Sequence, residues 1–419
     1  MPKSSSRGAD SGLRELPARR IVAAIGDAAA RWTDADYPPR VRATAAIVQR
    51  TGYTEPVVDY ALDRLFGEVT SASLTAAIEG EIGSLRALDG FVARDGRPHA
   101  FARGIDGVAI VASDTTIGVA LPAVVFALCA KCDVDVRDRS DALLAAFADT
   151  LTQERPELGA AVRVHAGIAP EHPRWRAALR DAGVVVAFGG DDALRALRSE
   201  AAPDARFVGF GHRTSATYVA RESLENDAHA RSLAAGTAVD ALLYDGDGCL
   251  SSHVVFVERG GDVSFERFSH LLEEACAAVA VEFPRGSSAP AGAVLAYRDG
   301  ARFRAAQGTG GVAWGEGGSY LLVIEPPRHE APPLLARSLA VYGVDGVEEF
   351  TDFVASHAVP LEAVAVADPA AFPDIVAAIA ASGAARVARI GALQSPLLAA
   401  EHGGVGRITP FVRWVTRDA

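Results

Sequence analysis

One cysteine, Cys249, lies in a setting that favours chemistry over packing. It occupies the stretch Tyr244-Asp-Gly-Asp-Gly-Cys-Leu-Ser-Ser, between two apolar runs. Gly246 and Gly248 allow positive φ and a close approach to a ligand, and Val254–Val257 predicts a buried strand that holds this corner. Because a thiolate is a strong nucleophile, such a thiol can attack a carbonyl carbon. The alternative is the small buried hydrophobe that a free cysteine usually is.

The other three cysteines are predicted to be structural. Cys129 and Cys132 form a Cys-Ala-Lys-Cys motif, but no second pair completes a tetrahedral metal site. The residues before them, Ala123 to Leu128, are apolar and predict a packed helix. Cys276 lies within an amphipathic helical pattern. We therefore expect no disulfide framework and no metal site at these positions.

A second candidate site is the turn Phe188-Gly189-Gly190, which follows an apolar strand pattern and precedes a helix from Asp191. Free N–H groups at a helix start favour an anion, so this turn predicts the place of a dinucleotide pyrophosphate. Two glycines also occur in ordinary strand-to-helix turns, where Asp191 and Asp192 would cap the helix.

The elements around these sites predict an α/β fold. A helical lead-in precedes strands and helices that alternate from Gly104, which indicates a doubly wound parallel sheet of the nucleotide-binding type. A second α/β pattern follows Ser223, and the end of the chain predicts an edge strand or an assembly element. The predicted organisation is a disordered tail (1–17), a lead-in with a cofactor domain (18–223), a catalytic domain with Cys249 (224–400) and a C-terminal tail (401–419).

Composition narrows the functional classes. Hydrophobic residues make up 49% of the 419-residue chain and charged residues 22%, and no apolar run is long enough to span a membrane. The net charge of −12 argues against a nucleic-acid partner. The polar start lacks the apolar core of a signal peptide, so we expect a cytoplasmic enzyme or binding protein.

Two stretches carry a family resemblance. Phe207-Val-Gly-Phe-Gly-His-Arg-Thr-Ser and the segment around Cys249 resemble the acyl-CoA reductases of the bacterial bioluminescence type (LuxC-like), which belong to the aldehyde dehydrogenase superfamily. The similarity extends from about residue 100 to the Gly406-Arg-Ile-Thr-Pro segment. It implies two doubly wound α/β domains, one of the Rossmann type for the cofactor and one bearing the thiol, with an oligomerisation element.

The resemblance implies a reaction that needs no activated water. The Cys249 thiolate attacks an acyl thioester, CoA leaves, and hydride from a nicotinamide reduces the bound acyl group to an aldehyde. The superfamily's hydrolytic glutamate is missing, and Gly209-Phe-Gly-His-Arg stands in its neighbourhood. His212 is the predicted acid/base residue; alternatively, it only hydrogen-bonds a loop.

The oxyanion site departs from the superfamily. The chain reads Ser113-Asp-Thr-Thr where the superfamily has an oxyanion-binding asparagine. The hydroxyl of Thr115 or Thr116, or the backbone N–H of Cys249, would have to take that role. The superfamily's ribose-binding glutamate also has no clear match near residues 330–335.

The resemblance places Arg137 where the superfamily has an adenosine-binding lysine. Arg137 and Arg139 follow a predicted strand, and two guanidinium groups can bind a 2′-phosphate, which predicts NADPH as the cofactor. A solvated Arg/Asp pair on a loop would have the same sequence.

Three functions follow, in order of preference. The first is NADPH-dependent reduction of an acyl-CoA, expected to be fatty, or of another acyl thioester. The second is acyl transfer through Cys249 within a complex with an acyl-transferring partner protein, and the third is a degenerate member without turnover. Self-association into a homo-oligomer is also expected.

Overall fold

The structure is a computed structural model that describes residues 11–94, 96–113, 116–138, 143–286, 292–308, 310–328 and 330–418. Its helices, in chain order, are α1 (Ala18–Arg31), α2 (Pro38–Thr51), α3 (Glu55–Gly67), α4 (Ser71–Ile82), α5 (Leu121–Cys129), α6 (Leu143–Glu154), α7 (Pro156–Ala160), α8 (Pro173–Asp181), α9 (Asp191–Glu200), α10 (Asp227–Leu242), α11 (Phe265–Glu282), α12 (Gly292–Ala306), α13 (Val347–His357) and α14 (Pro373–Ala381).

The strands, in chain order, are β1 (Val92–Arg94), β2 (Arg97–Gly104), β3 (Val108–Val111), β4 (Val134–Asp138), β5 (Val162–Ala166), β6 (Val184–Phe188), β7 (Arg206–Phe210), β8 (Thr214–Val219), β9 (Ser252–Glu258), β10 (Gly311–Trp314), β11 (Leu321–Ile324), β12 (Ser338–Val344), β13 (Leu361–Val366), β14 (Arg386–Arg389) and β15 (Val412–Arg417).

The chain divides into two compact units. The first comprises residues 1–51, 58–211 and 397–419, and the second comprises 52–57 and 212–396. The sequence placed the corresponding boundaries at 223 and 400. Part of the predicted disordered tail, residues 1–10, lies outside the described residues. The rest is ordered, because Leu13–Glu15 forms a short 3-10 turn in which Leu13 is fully buried.

The first unit is built on a parallel sheet with the order β5-β4-β3-β6-β7. β3 and β6 are buried at every residue, as their apolar patterns predict. The strand order reverses between these two strands. Such a reversal opens a crevice at the carboxyl ends of the strands, where α/β proteins bind ligands.

The lead-in helices form a core of their own in the first unit. The indole of Trp32 stacks on Phe66, with ring centroids 4.8 Å apart, and donates a hydrogen bond to Thr150 Oγ1 at 3.1 Å. A small antiparallel sheet with the order β1-β2-β15 also belongs to this unit. The predicted C-terminal strand is therefore confirmed as an edge strand.

The second unit contains a seven-stranded sheet with the order β10-β11-β12-β9-β8-β13-β14. Only β10 runs antiparallel to its neighbour. The central strand β9 is buried at all seven residues and begins two residues before the predicted run. β8 is missing from the sequence prediction because its Thr and Ser residues interrupt the apolar pattern. No helix among the described residues has the length and apolarity to cross a membrane.

Helix α10 begins at Asp227. The side chain of Asn226 accepts a hydrogen bond from His229 N–H at 2.9 Å and caps the first turn. The helix continues to Leu242 and so carries the chain directly to the cysteine corner. The chain therefore enters the cysteine corner directly from the end of this helix.

An aromatic cluster on one face of this sheet should dominate the stability of the second unit. Phe256 on β9 is 1% exposed and contacts Phe350, Phe353 and Tyr342 at centroid distances of 5.1, 5.3 and 5.6 Å. Phe256→Ala should lower the free energy of unfolding by about 3–5 kcal/mol, because it leaves a cavity. The shift of the urea unfolding midpoint at an unchanged slope measures this loss.

Phe303→Ala is the matched control, because Phe303 is 67% exposed. It should change the free energy of unfolding by no more than about 0.5 kcal/mol. Equal losses in the two variants would contradict the assignment of the core.

Candidate active site

The cysteine corner begins with three residues in left-handed backbone conformations. Tyr244, Asp245 and Gly246 have φ values of 57°, 55° and 78°. Non-glycine residues adopt this region only where surrounding contacts enforce it. Those contacts come from Arg337, whose Nε donates to Asp245 Oδ1 at 2.6 Å and whose backbone N–H donates to Asp245 O at 2.9 Å.

Two strands fix the backbone at Cys249 itself. The carbonyl of Cys249 accepts a hydrogen bond from Ser215 Oγ on β8 at 2.8 Å. The same hydroxyl accepts from Ala363 N–H on β13 at 3.2 Å. Ser251 N–H donates to Gly248 O at 2.9 Å and closes the turn that carries the cysteine. Cys249 is half-buried, whereas the other three cysteines are fully buried.

Charged groups from three segments act on the Cys249 thiol. Burial is the largest effect and, with the charge of Glu362, raises the pKa of Cys249 to about 11. The backbone N–H of Cys249 and the guanidinium groups of Arg213 and Arg386 act in the opposite direction. The thiol is therefore protonated near neutral pH in this state, and a nucleophilic role requires a group that accepts its proton.

Glu362 lies in the position from which it can influence that proton. It is 6% exposed on β13, and its Oε2 lies 3.7 Å from Arg213 Nε. Arg213 also donates to Leu361 O at 3.2 Å, which holds the guanidinium against this strand. Glu362 and Arg386 were not among the site residues predicted from the sequence. The signal for Glu362 was a carboxylate inside an otherwise apolar strand pattern.

A buried polar network holds the turn that carries Cys249. Asp240 is fully buried at the end of α10 and accepts hydrogen bonds from Gly391 N–H at 2.6 Å and Leu393 N–H at 3.0 Å. Gln394 Nε2 then donates to Asp240 O at 3.1 Å and to Ser251 Oγ at 3.0 Å. Burial raises the pKa of Asp240 to about 7, although these backbone donors favour its ionised form. The loop 391–394 thereby ties α10 to the cysteine turn.

The predicted acid/base residue His212 lies on an exposed position at the start of the second unit. Among the described residues, no hydrogen bond connects its ring to Cys249, and it is absent from the charges that act on the thiol. Its role stays a prediction. Thr115 lies outside the described residues, and Thr116 is a half-buried residue of the first unit, in the bend between β3 and α5.

The predicted pyrophosphate turn has the expected backbone, but two acidic side chains lie at the start of its helix. Gly190 is the N-cap residue of α9 and makes no side-chain cap, so Asp191 and Asp192 lie in the first turn and do not cap the helix. Asp192 pairs with Arg195. The carboxylate of Asp191 occupies the space beside Gly211, where a Cβ atom would come within 2.9 Å of its Oδ1. A dinucleotide phosphate at this helix start would therefore lie near two acidic side chains.

Phe188, the residue before the two glycines, belongs to an aromatic stack. Its ring lies 4.9 Å from that of Phe210, and the imidazole of His402 contacts both rings, at 4.1 Å from Phe210 and 5.6 Å from Phe188. These three side chains line a narrow apolar cleft of the first unit, together with Val186 and Val208. The stack fixes the ends of β6 and β7 beside Gly189, whose N–H donates to Phe210 O at 3.1 Å.

Arg137 lies at the carboxyl end of β4, as expected for a cofactor-binding residue, but it is 8% exposed. Its Nε donates to Ile168 O at 3.1 Å. This hydrogen bond holds the guanidinium at the end of β4. Arg139 lies outside the described residues. The reversal of the sheet, the glycine N-cap of α9 and Arg137 together fit a nicotinamide dinucleotide, while Asp191 and Asp192 disfavour its phosphates at the helix start.

Comparison with known proteins identifies a family and a fold. The family model for acyl-CoA reductase (LuxC) matches residues 13–414. A "long-chain acyl-protein thioester reductase 2" from Photobacterium leiognathi is 25% identical over 243 residues, which cover 57% of this chain and 47% of the relative. The match thus spans about half the length of that relative.

The solved structures that resemble this chain are aldehyde dehydrogenase-fold proteins. An NAD-dependent benzaldehyde dehydrogenase from Corynebacterium glutamicum has a TM-score of 0.68 at 15% identity, with 98% of this chain and 88% of that chain covered. An oxidoreductase from Marinobacter aquaeolei also has a TM-score of 0.68, at 13% identity and with 99% and 87% covered. The predicted aldehyde dehydrogenase-like α/β fold is confirmed.

The charge of Glu362 should control how readily the Cys249 thiol reacts. Glu362→Gln removes a negative charge, lowers the pKa of Cys249 and should speed alkylation by iodoacetamide at pH 8 by about three- to tenfold. The wild-type rate should rise about tenfold per pH unit toward the pKa of about 11. Cys249→Ser serves as the labelling control, because the other thiols are buried. Identical pH profiles for wild type and Glu362→Gln would contradict this electrostatic picture.

The side chain of Gln394 should hold the cysteine turn closed. Gln394→Leu removes both hydrogen bonds of Nε2 and leaves two buried oxygens without this donor, so the free energy of unfolding should fall by about 1–3 kcal/mol. Alkylation of Cys249 should become faster, because the turn loosens. Gln307→Leu, at an exposed position of the same unit, is the control for both measurements. A stability loss without any change in alkylation would limit Gln394 to a packing role.

Proposed function

Because the chain belongs to the LuxC family of acyl-CoA reductases, we propose that it reduces an acyl-CoA, or another acyl thioester, to the aldehyde with NADPH. The observation that carries this proposal is the half-buried thiol of Cys249 on a corner held by β8 and β13. The name of the Photobacterium relative favours a long-chain acyl group. The thioester substrate, the thioacyl intermediate and NADPH all belong to this proposal.

In the proposed reaction, Cys249 Sγ loses its proton and attacks the thioester carbonyl carbon. A bond forms between Sγ and this carbon, the bond to the CoA sulfur breaks, and the CoA thiolate accepts a proton. The acyl group is then carried on Cys249. The nicotinamide, when bound, supplies the hydride that converts this acyl group to an aldehyde, and Cys249 is released as a thiolate.

Glu362 is the proposed acceptor of the Cys249 proton. Transfer of the proton from the thiol to Glu362 neutralises the carboxylate whose charge raises the pKa of Cys249. The thiolate then remains near Arg213 and Arg386, which both favour it. His212 remains the alternative acid/base residue, acting from the exposed side.

The oxyanion has fewer identified donors than the superfamily pattern provides. The backbone N–H of Cys249 is the donor that the cysteine turn supplies, and the hydroxyls of Thr115 and Thr116 are proposed as further donors. Removing one oxyanion donor typically costs about 3 kcal/mol of transition-state stabilisation. We therefore expect a turnover slower than that of an enzyme with the asparagine.

We propose NADPH on the basis of Arg137, with Arg139 as a second phosphate ligand. The anchored guanidinium of Arg137 lies at the end of β4, next to the strand β3 that borders the sheet reversal. Phe188, Gly189 and Gly190 are proposed to border the cofactor at the start of α9. The acidic residues of that helix disfavour a phosphate there, so Arg137, at the end of β4, should contribute most of the phosphate affinity.

The raised pKa of Cys249 and the two acidic residues at the start of α9 also favour two alternatives, acyl transfer through Cys249 and a degenerate member without turnover. An acyl-transfer protein needs the thiol but no hydride, and a degenerate member needs neither. An acyl-transferring partner protein, a cytoplasmic location and a homo-oligomer are proposed as well. The edge strand β15 offers unpaired backbone groups for such self-association.

The test is the decay of NADPH absorbance with acyl-CoAs from short to long chain length. Wild-type protein should consume NADPH only when a thioester is present, with preference for long chains, and faster than it consumes NADH. Cys249→Ala should lose all activity, because no other thiol is accessible. Acyl labelling of Cys249 without NADPH consumption would replace this proposal with acyl transfer, and the absence of both would replace it with a degenerate scaffold.

A further inference from the structure

Two arginines lie beside the cysteine corner and use their hydrogen-bond donors very differently. Arg337 is 1% exposed, and all three of its guanidinium nitrogens donate. Nε donates to Asp245 Oδ1 at 2.6 Å, Nη2 to Phe283 O at 2.6 Å and Nη1 to Ser319 O at 3.3 Å. Arg337 therefore has a complete structural role and no edge left for a ligand.

Among the described residues, Arg285 finds a hydrogen-bond acceptor for only one of its three guanidinium nitrogens. Its Nη1 donates to Gly318 O at 2.7 Å, and its Nε and Nη2 atoms are buried without a hydrogen-bond partner in the described part of the chain. These two nitrogens form one edge of the planar guanidinium. That edge binds two oxygens of one carboxylate or phosphate at the same time.

The nearby acidic groups do not fill this edge. Oδ1 of Asp245 accepts from Arg337 and Oδ2 accepts from Gly286 N–H at 3.1 Å. Asp247 acts electrostatically on Arg285 but has an exposed side chain and makes no hydrogen bond to the guanidinium. Two cations, Arg285 and Arg337, thus share one buried carboxylate, and burial of Arg285 lowers its pKa. The site lacks one buried negative charge.

The backbone that carries Arg285 is held in place without any ligand. At Gly286 a Cβ atom would come within 2.3 Å of Gly52 O, so only glycine permits this close approach. Arg337 holds Phe283 on one side, and Gly318 holds the Arg285 side chain on the other. The backbone that carries the unpaired edge is therefore pre-organised, which lowers the entropic cost of binding.

We propose that the Nε–Nη2 edge of Arg285 binds a phosphate group, and that this is the phosphate of the phosphopantetheine arm shared by CoA and acyl-carrier proteins. The inference rests on the proposed function, because that arm ends in the sulfur that leaves when Cys249 is acylated. Asp247, whose exposed carboxylate acts electrostatically on Arg285, is two residues from Cys249 in the chain. Arg285 itself is half-buried although Nε and Nη2 are covered, so the proposal includes a rotation about its terminal bonds that opens the edge to the ligand.

Kinetics with two thioesters test this assignment. For octanoyl-CoA, Arg285→Gln should raise KM about ten- to hundredfold with little change in kcat, because a charge-assisted bidentate contact is lost. For octanoyl-N-acetylcysteamine, which has no phosphate, KM should not change. Arg285→Lys, which keeps the charge but not the fork, should fall between. Arg389→Gln is the control, because that side chain is 67% exposed and pairs with Asp368.

Binding without turnover separates this proposal from the proposed function. In calorimetric titrations, phosphopantetheine should bind the wild type about ten- to hundredfold more tightly than pantetheine, and Arg285→Gln should bind both equally. Such a result stands even if the protein reduces no thioester. Equal affinity of the wild type for both compounds would overturn the site. A KM increase for NADPH alone in Arg285→Gln would instead assign Arg285 to a cofactor phosphate.

Discussion

The buried ion pair between Arg337 and Asp245 is the interaction on which the geometry of the second unit depends. The side chains of the two partners are 0% and 3% exposed, and both residues have left-handed backbone conformations, with φ values of 49° and 55°. Each of these conformations costs free energy, and the pair enforces both. Arg337 leads directly into β12, and the corner that begins at Asp245 leads through Cys249 into β9, the neighbouring strand. Loss of one partner would leave an uncompensated buried charge, which typically costs about 3–5 kcal/mol.

The same corner shows why a rigid backbone alone does not make a nucleophile. β8, β13 and the loop 391–394 all hold the Cys249 turn, but burial and Glu362 keep the thiol protonated. Reactivity therefore depends on a redistribution of protons within the cluster of Cys249, Glu362 and two arginines. Because that redistribution leaves the net charge of the cluster unchanged, it avoids the desolvation cost of creating a new buried charge.

Of the two arginines beside the corner, Arg337 has a structural role and Arg285 is the proposed ligand-binding residue. Arg337 uses all its nitrogens within the protein, whereas Arg285 keeps one edge unpaired. A guanidinium group that keeps one edge unpaired suits oxyanion recognition, because its planar fork is already shaped for two oxygens.

The sequence by itself determined the parallel α/β pattern, the Gly-Cys-Leu-Ser corner and the family, because each depends on residues close together in the chain. Apolar runs located β6 and β9, which are buried at every residue. Only the tertiary structure placed Glu362 and Arg386 near Cys249, more than a hundred positions away in the chain. It also placed His212 at an exposed position, made Gly190 rather than an aspartate the N-cap residue of α9, and paired Arg337 with Asp245. The physical reason is that backbone preferences act between neighbours in sequence. The protonation of a thiol depends on burial and on charges that neighbouring strands of the sheet bring together.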